Sequence, residues 1–316
     1  MKARALSFLA ACAACAACGG AAPAGTTSGT GPRAEAAPTA THFAWTAPLR
    51  AHVVEQTERD GDRAVMHYDV VVAPSANDTL RVGYASFGFD SLNGQSATSP
   101  DLRDATTKLA QAFALQQPAF IVSRTGHLVD VDLDIKRMEE GLRATGVFTA
   151  EEAADAEKLL ETPVMQSQVK AKAGETWNVW AGSWLPYESG TPSPKVLVVP
   201  VFGTRVESPV RFDPIAPVPG RPGHVRLRAT SSVRGDAMRD AILRYLDALA
   251  KQKGEPPIPE GEITSVTRDM RLEVETDAAT MRPDVATSES TMEIAGRKGT
   301  RRKHELHVYR FTWVAP

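Results

Sequence analysis

Beyond residue 18 the chain contains no cysteine. Its three, Cys12, Cys15 and Cys18, are confined to the start of a 316-residue sequence. The bulk of the protein therefore cannot use a disulfide. Neither sign of charge is in excess: 36 Lys plus Arg stand against 38 Asp plus Glu, a formal net charge of -2. Nothing global favours nucleic acid as a partner. Glycine-rich phosphate loops of either common type are missing. The N-terminal apolar run stops well short of the roughly 20 residues that a membrane-spanning helix needs.

What the N-terminus does contain is a targeting pattern. Met1-Lys-Ala-Arg4 puts two positive charges ahead of Ala5-Leu-Ser-Phe-Leu-Ala-Ala11, the n-region and h-region of a secretory signal. Small residues then lead into each cysteine: Leu9-Ala-Ala-Cys12, Cys12-Ala-Ala-Cys15 and Cys15-Ala-Ala-Cys18. This segment resembles the lipobox of bacterial lipoproteins, in which the cysteine is acylated and becomes the first residue of the mature chain. The resemblance implies attachment through Cys18, with Cys12 as the alternative. Cys12 has leucine three residues upstream, but it leaves only about seven apolar residues for the h-region. Cys18 allows a longer h-region and is followed by Gly19-Gly20. By that resemblance the protein is an acylated (palmitate-type) lipoprotein of the bacterial envelope, on the outer membrane facing the periplasm where no aspartate follows Cys18.

The expected organisation is a signal peptide over 1–17, a disordered tether over 18–42 and one α+β domain over 43–316. The tether is Ala, Gly, Pro, Thr and Ser with almost no large apolar residue. It cannot bury enough surface to offset its ordering entropy. At about 5–6 Å × √n its mean reach is on the order of 25 Å.

Alternation predicts strands over Leu49–Glu58 and Arg63–Val72, joined at Asp60-Gly61, and a third over Thr79–Phe89. Ser99-Pro100-Asp101 reads as N-cap, N1 proline and acidic first turn of a helix with Leu102, Ala105, Leu109 and Phe113 on one face. A hairpin follows over Ala119–Ser123 and His127–Asp132, then a helix capped by Asp134. Thr149-Ala-Glu-Glu152 is a capping box, with Phe148 stapled onto Ala153, for a helix ending near Glu161. Strands are expected again at Glu175–Tyr187 and Lys195–Phe202, the latter central because it is apolar on both faces. Arg205–Phe212 and His224–Ser231 flank a proline-rich loop. Asp236 caps a helix with Met238, Ala241, Ile242, Tyr245 and Leu249 on one face, stopped by Gly254 and Pro256-Pro257. Three long strands close the chain: Glu262–Thr276, Ala286–Ala295 and Lys303–Val314.

Clean period-two patterning leaves one sheet face wet, which favours antiparallel pairing. The expected fold class is thus α+β: a large curled antiparallel sheet, half-barrel-like, with about four helices on one face. That layout resembles the half-barrel of LolA-like lipoprotein carriers and mycobacterial lipid-binding lipoproteins. The segment Ala119–Glu161 followed by Gly174-Glu-Thr-Trp177 is also similar to a family of uncharacterised bacterial lipoproteins.

Candidate chemistry is sparse. Asp130, Asp132 and Asp134 form a D-x-D-x-D run, but the sixth and twelfth positions of a calcium loop are Ile135 and Gly141 instead of glycine and glutamate. His304-Glu-Leu-His307 is one residue short of H-E-x-x-H, and on a strand histidines three apart point to opposite faces. Gly83-Tyr-Ala-Ser86-Phe-Gly88 is a near miss for a nucleophile elbow, with Ser86 inside a predicted strand. Arg297-Lys298 and Arg301-Arg302-Lys303 read as a solvated turn. Trp180 and Trp184 share a face of the expected strand, with Trp177 opposite; they are core residues or a candidate ligand platform. His307, Tyr309, Phe311 and Trp313 form a second aromatic stripe of core type.

No catalytic, cofactor or metal residue is expected. The leading reading is a non-enzymatic envelope lipoprotein, held to the membrane by its N-terminal acyl chains, with an apolar or lipid ligand between sheet and helices. The alternatives are an envelope scaffold with a filled core that binds a protein partner at its surface, and a hydrolase with a dispersed site.

Overall fold

The computed structural model describes residues 38–144, 150–201, 204–252, 254, 256–259 and 261–314. Cys12, Cys15, Cys18, Phe148 and Thr149 lie outside the described residues, as do the signal peptide and most of the tether. The chain divides into two compact units. Unit 1 holds residues 44–182 and 307–314 of the described chain, and unit 2 holds 38–43 and 183–306.

Unit 1 opens with β1 (Leu49–Arg59) and β2 (Asp62–Pro74), paired antiparallel with Arg59 opposite Asp62. Asp60 (φ 50°) and Gly61 (φ 92°) are both left-handed, the two-residue turn whose twist matches a hairpin. Met66, Tyr68, Val70 and Val72 are buried, as the alternation predicts. Strand β3 (Thr79–Leu92) outruns its predicted end because the left-handed pair Asn93 and Gly94 turns it into a two-residue β4 (Gln95–Ser96).

Helix α1 (Arg103–Gln116) starts later than the Ser99 cap implies. Ser99 serves through its carbonyl, which accepts from the amides of Leu102 and Arg103. The N-cap is Leu102, without a side-chain bond, and the buried face rotates to Thr106 and Ala110. Strands β5 (Ala119–Ser123) and β6 (Leu128–Asp132) form the expected hairpin. Asp134 caps α2 (Ile135–Ala144), accepting from the Arg137 amide at 3.0 Å. Helix α3 covers Ala150–Leu160.

The expected strand over Glu175–Tyr187 is not there. Helix α4 (Pro163–Trp180) and a 3-10 helix (Gly182–Ser189) occupy it. Thr162 caps α4, its hydroxyl accepting from the Met165 amide at 3.3 Å, and Pro163 sits in the first turn. Proline there opens a helix because its missing amide is one no helix needs. Trp177, Trp180 and Trp184 are spaced by three and four residues, a helical stripe and not an alternating one.

Unit 2 contains β7 (Lys195–Val201), β8 (Thr204–Phe212), a two-residue β9 (Ala216–Pro217), β10 (His224–Val233), α5 (Asp236–Gln252), β11 (Ser265–Asp277) and β12 (Pro283–Gly296). The last strand, β13 (Gly299–Val314), passes from unit 2 into unit 1 at residue 307. Strand order in unit 1 is β6-β5-β3-β2-β1-β13, and in unit 2 it is β13-β12-β11-β10-β8-β7. The described pairings are antiparallel. Strand β7 is therefore terminal in unit 2, not central as its apolar run implies. Helix α5 buries Met238, Ala241 and Ile242 against Val206, Val233, Val266 and Met292. Among the described residues strands outweigh five α-helices, so the fold is a large antiparallel β assembly with helices, less evenly α+β than its sequence pattern suggests.

Candidate functional site

In unit 1 the inner face of the strands is filled by aromatic rings. Trp180 stands edge-on to Phe120, Tyr309 and Phe311, with centroids 5.7, 5.6 and 5.4 Å away, and Tyr84 is 5.9 Å off. Trp177 packs on Trp45 at 5.3 Å. Edge-to-face pairs at these distances contribute about 0.5–1.5 kcal/mol each beyond area burial. Trp180 is 1% and Trp184 0% exposed, and the two belong to different units, Trp184 lying against Tyr187 in unit 2.

One polar node interrupts the aromatic wall. The Tyr68 hydroxyl donates to Glu55 Oε2 at 3.0 Å, and His307 Nδ1 lies 3.0 Å from Oε1. Burial, reinforced by the Glu55 charge, pushes the Tyr68 and Tyr84 hydroxyls well above their ordinary titration range.

The opposite, wetter face of β1–β3 carries Arg50, His52, His67, Asp69, Ser86 and Asp90. Asp69 accepts from Arg50 at 2.7 Å and faces His52 Nδ1 at 3.2 Å. Burial alone would raise its carboxyl, but bonds from Arg50, Ser86 and His52 outweigh that and hold it below the usual range. Ser86 lies within β3, as expected, at a bulge where its φ is 55°. A hydrogen bond from Ser86 to the Asp69 carboxylate is one of the contacts that lower the latter's titration.

The remaining sequence candidates separate. Asp130 pairs with Lys170 (2.8 Å), Asp132 with Arg81 (2.9 Å), and Asp134 caps α2. His304 lies 3.6 Å from Glu289, whereas His307 meets Glu55. Lys298 of the basic turn pairs with Glu262 at 3.1 Å. Among the described residues no three His, Cys, Asp or Glu side chains converge as metal ligands. No described helix is long and apolar enough to cross a membrane.

A concavity among the described residues lies elsewhere, in unit 2, with a volume of about 610 Å3. Register explains its shape. Val196 is opposite Pro209, and Ser232 is opposite Asp269, forming one wall. Arg211, Thr230, Arg271 and Glu289 are successive cross-strand partners and form the other, with Pro194 at its end. Directly opposed residues share a face, and these two rows flank a third, Lys195, Val210, Ser231 and Met270, whose backbone is the floor. Val210 and Ser231 are buried while Thr230 and Ser232 are exposed, so the trough is on the outer face. Crossing five strands at about 4.8 Å spacing makes it roughly 19 Å long.

The trough walls carry both signs of charge, Arg211 and Arg271 with Glu289 on one and Asp269 on the other, and a charge cluster adjoins them. Glu273 is shared by Arg228 (2.7 Å), Arg271 (3.2 Å) and Arg226 (3.3 Å). Among the described residues no carboxylate forms an ion pair with Arg211 on the trough wall. Asp269 is taken by Arg234 at 2.6 Å. Strand alternation alone points to an exposed row there, but its two-wall geometry needs the register across β7, β8, β10 and β11, which one sequence does not show.

No protein-family model and no curated protein matches the chain. Among solved structures, one described as lipid-protein interactions in lipovitellin is similar with a TM-score of 0.39 at 9% identity, covering 84% of this chain and 25% of that one. The chain thus spans about a quarter of that protein's length. At that TM-score the likeness carries no weight for fold or ligand.

Proposed function

We propose that this protein is a non-enzymatic lipoprotein of the bacterial envelope, anchored to the outer membrane through acylated Cys18 or Cys12, that holds an elongated apolar or amphiphilic ligand. The support for an anchor is the lipobox-like run of cysteines, and the support for a ligand is the transverse trough of unit 2. Its floor is strand backbone already engaged in ladder bonds, so it makes no polar demand on what lies above it. Its volume is in the range of small-molecule sites. The curled sheet of the carrier layout belongs to this reading, but the ligand is moved from between sheet and helices, where unit 1 is filled by rings, to an outer face.

The test is native mass spectrometry of the full chain extracted from membranes, alongside a Thr230→Trp variant that fills the trough. Co-purifying ligand mass that the variant lacks supports the reading. Identical spectra for both proteins remove it. A second reading, a scaffold for a protein partner, is favoured by the filled aromatic interior, which leaves surfaces as the means of recognition.

A further inference from the structure

The trough of unit 2 has a dry end and a wet one. Over β7 and β8 its walls offer Pro194, Val196 and Pro209, and Val196 is 58% exposed. Over β10, β11 and β12 the same two rows continue as Thr230, Ser232, Asp269, Arg271 and Glu289. Arg211 stands where one end gives way to the other, with Thr230 directly across from it. A face divided in this way along its length suits a molecule divided in the same way, an apolar tail bearing a polar head. The two walls are two residues apart along each strand, about 7 Å, which is room for one alkyl chain and not for two side by side.

Charge selects the head. The carboxylates of the wet end are engaged. Asp269 accepts from Arg234 at 2.6 and 2.7 Å and from the Ser232 hydroxyl at 2.7 Å, and Glu289 lies 3.6 Å from the His304 ring. Arg211 has no ion pair among the described residues. The exposed Glu207 is on its face, but four residues along the strand, about 13 Å away. Arg271 shares Glu273 with two other arginines, and its contact of 3.2 Å is longer than the 2.7 Å from Arg228 to the same oxygen. A guanidinium has five donors, so most of those on Arg271 stay open. Arg211, Thr230 and Arg271 are successive cross-strand partners, so two guanidinium groups flank one hydroxyl in a single row. With strands about 4.8 Å apart, an oxyanion above Thr230 is within reach of both arginine side chains. We infer that the trough holds a single-chain anionic amphiphile, an assignment that rests on the trough being the ligand site proposed above. Its oxyanion head lies over Thr230 between Arg211 and Arg271. Its alkyl tail crosses β8 and β7 against Pro209, Val196 and Pro194, two strand spacings or about 10 Å.

The probes are three decyl compounds with a photoreactive diazirine at the tail end: a phosphate, an alcohol and a trimethylammonium. Each is added to the full chain in nanodiscs of zwitterionic lipid, and crosslinks are located by peptide mass spectrometry. The phosphate should label residues 194–209 about tenfold more than either of the others. Arg211→Gln should reduce that labelling by about tenfold, and Arg211→Glu should transfer the preference to the trimethylammonium. Arg211 is exposed, so both variants keep the fold, which circular dichroism checks. Inorganic phosphate at about a hundredfold excess should not displace the decyl phosphate, because the tail makes most of the contact. Equal labelling by the three probes, or a preference for the alcohol or the ammonium, overturns the inference; if Thr230→Trp abolishes that labelling, the trough still stands as a ligand site. Labelling that Thr230→Trp leaves unchanged, or none over 194–209, removes both. An undiminished phosphate signal in Arg211→Gln overturns the head, and displacement by inorganic phosphate overturns the tail.

Discussion

The indole N–H of Trp177 donates to the carbonyl of Gly126 at 3.0 Å, joining helix α4 to the tip of the β5–β6 hairpin. Trp177 is fully buried. Trp177→Phe keeps most of the apolar contact but leaves a buried carbonyl without its donor, which costs about 1–3 kcal/mol. Trp177→Ala also removes the ring and should cost about 3–5 kcal/mol. Urea unfolding of both variants separates the two contributions. A phenylalanine variant as stable as the parent would show that the bond adds nothing.

Asp69 makes unit 1 acid-sensitive. Its folded-state carboxyl titrates below the unfolded value of about 3.9, because the bonds from Arg50, Ser86 and His52 outweigh burial. The stability it adds is fully present above the unfolded value and is lost as pH falls through the folded one. Asp69→Asn should therefore be destabilised at pH 7 and converge on the parent as pH falls below the unfolded value of about 3.9 and through the folded one. Thermal unfolding from pH 7 downward, carried to the lowest pH at which the parent still unfolds cooperatively, measures this. A gap that stays constant over that range would mean the ionised form contributes nothing.

Gly88 is opposite His67 in the β2–β3 ladder, and the imidazole lies over it. A Cβ at position 88 would sit 2.6 Å from Cε1 of His67, closer than real contacts allow. The ring is also held at 2.8 Å to Asp90, so it cannot swing aside without losing that bond. Gly88→Ala should cost about 1–3 kcal/mol, and His67→Ala should recover most of it in the double variant. Additive losses in that cycle would place the strain elsewhere than in the ring.

How much of this was legible in the sequence follows from which interactions are local. The Asp60-Gly61 turn and the cap at Asp134 were readable because each depends on residues within a few positions of one another. Pro163 follows the helix that ends near Glu161 and opens α4, since a proline ends one helix and begins the next with the same missing amide. Taken only as a stop, it leaves the tryptophan stripe looking like a strand and hides α4. Asn93-Gly94 is a turn signal of the same local kind, and it sets the end of β3. Strand β7 looked central because hydrophobicity reports burial and sticky edges alike. The trough was beyond reach, because its walls pair residues as far apart as Val196 and Asp269 through register.

The anchor separates by mutation of single cysteines. If Cys18 is acylated, Cys18→Ala releases the chain into the soluble fraction or leaves an uncleaved precursor, and Cys12→Ala changes nothing. If Cys12 is acylated, the two results exchange. Each buried methylene contributes about 0.8 kcal/mol, so chains attached at one residue hold the protein at the membrane, and their loss cannot be offset by the nearly neutral remainder. Intact mass of the membrane-extracted protein identifies the first residue and the acyl composition together. Two cysteine variants that both stay on the membrane, with a parent mass showing no acyl addition, would end the lipoprotein reading and leave the trough to stand on geometry alone.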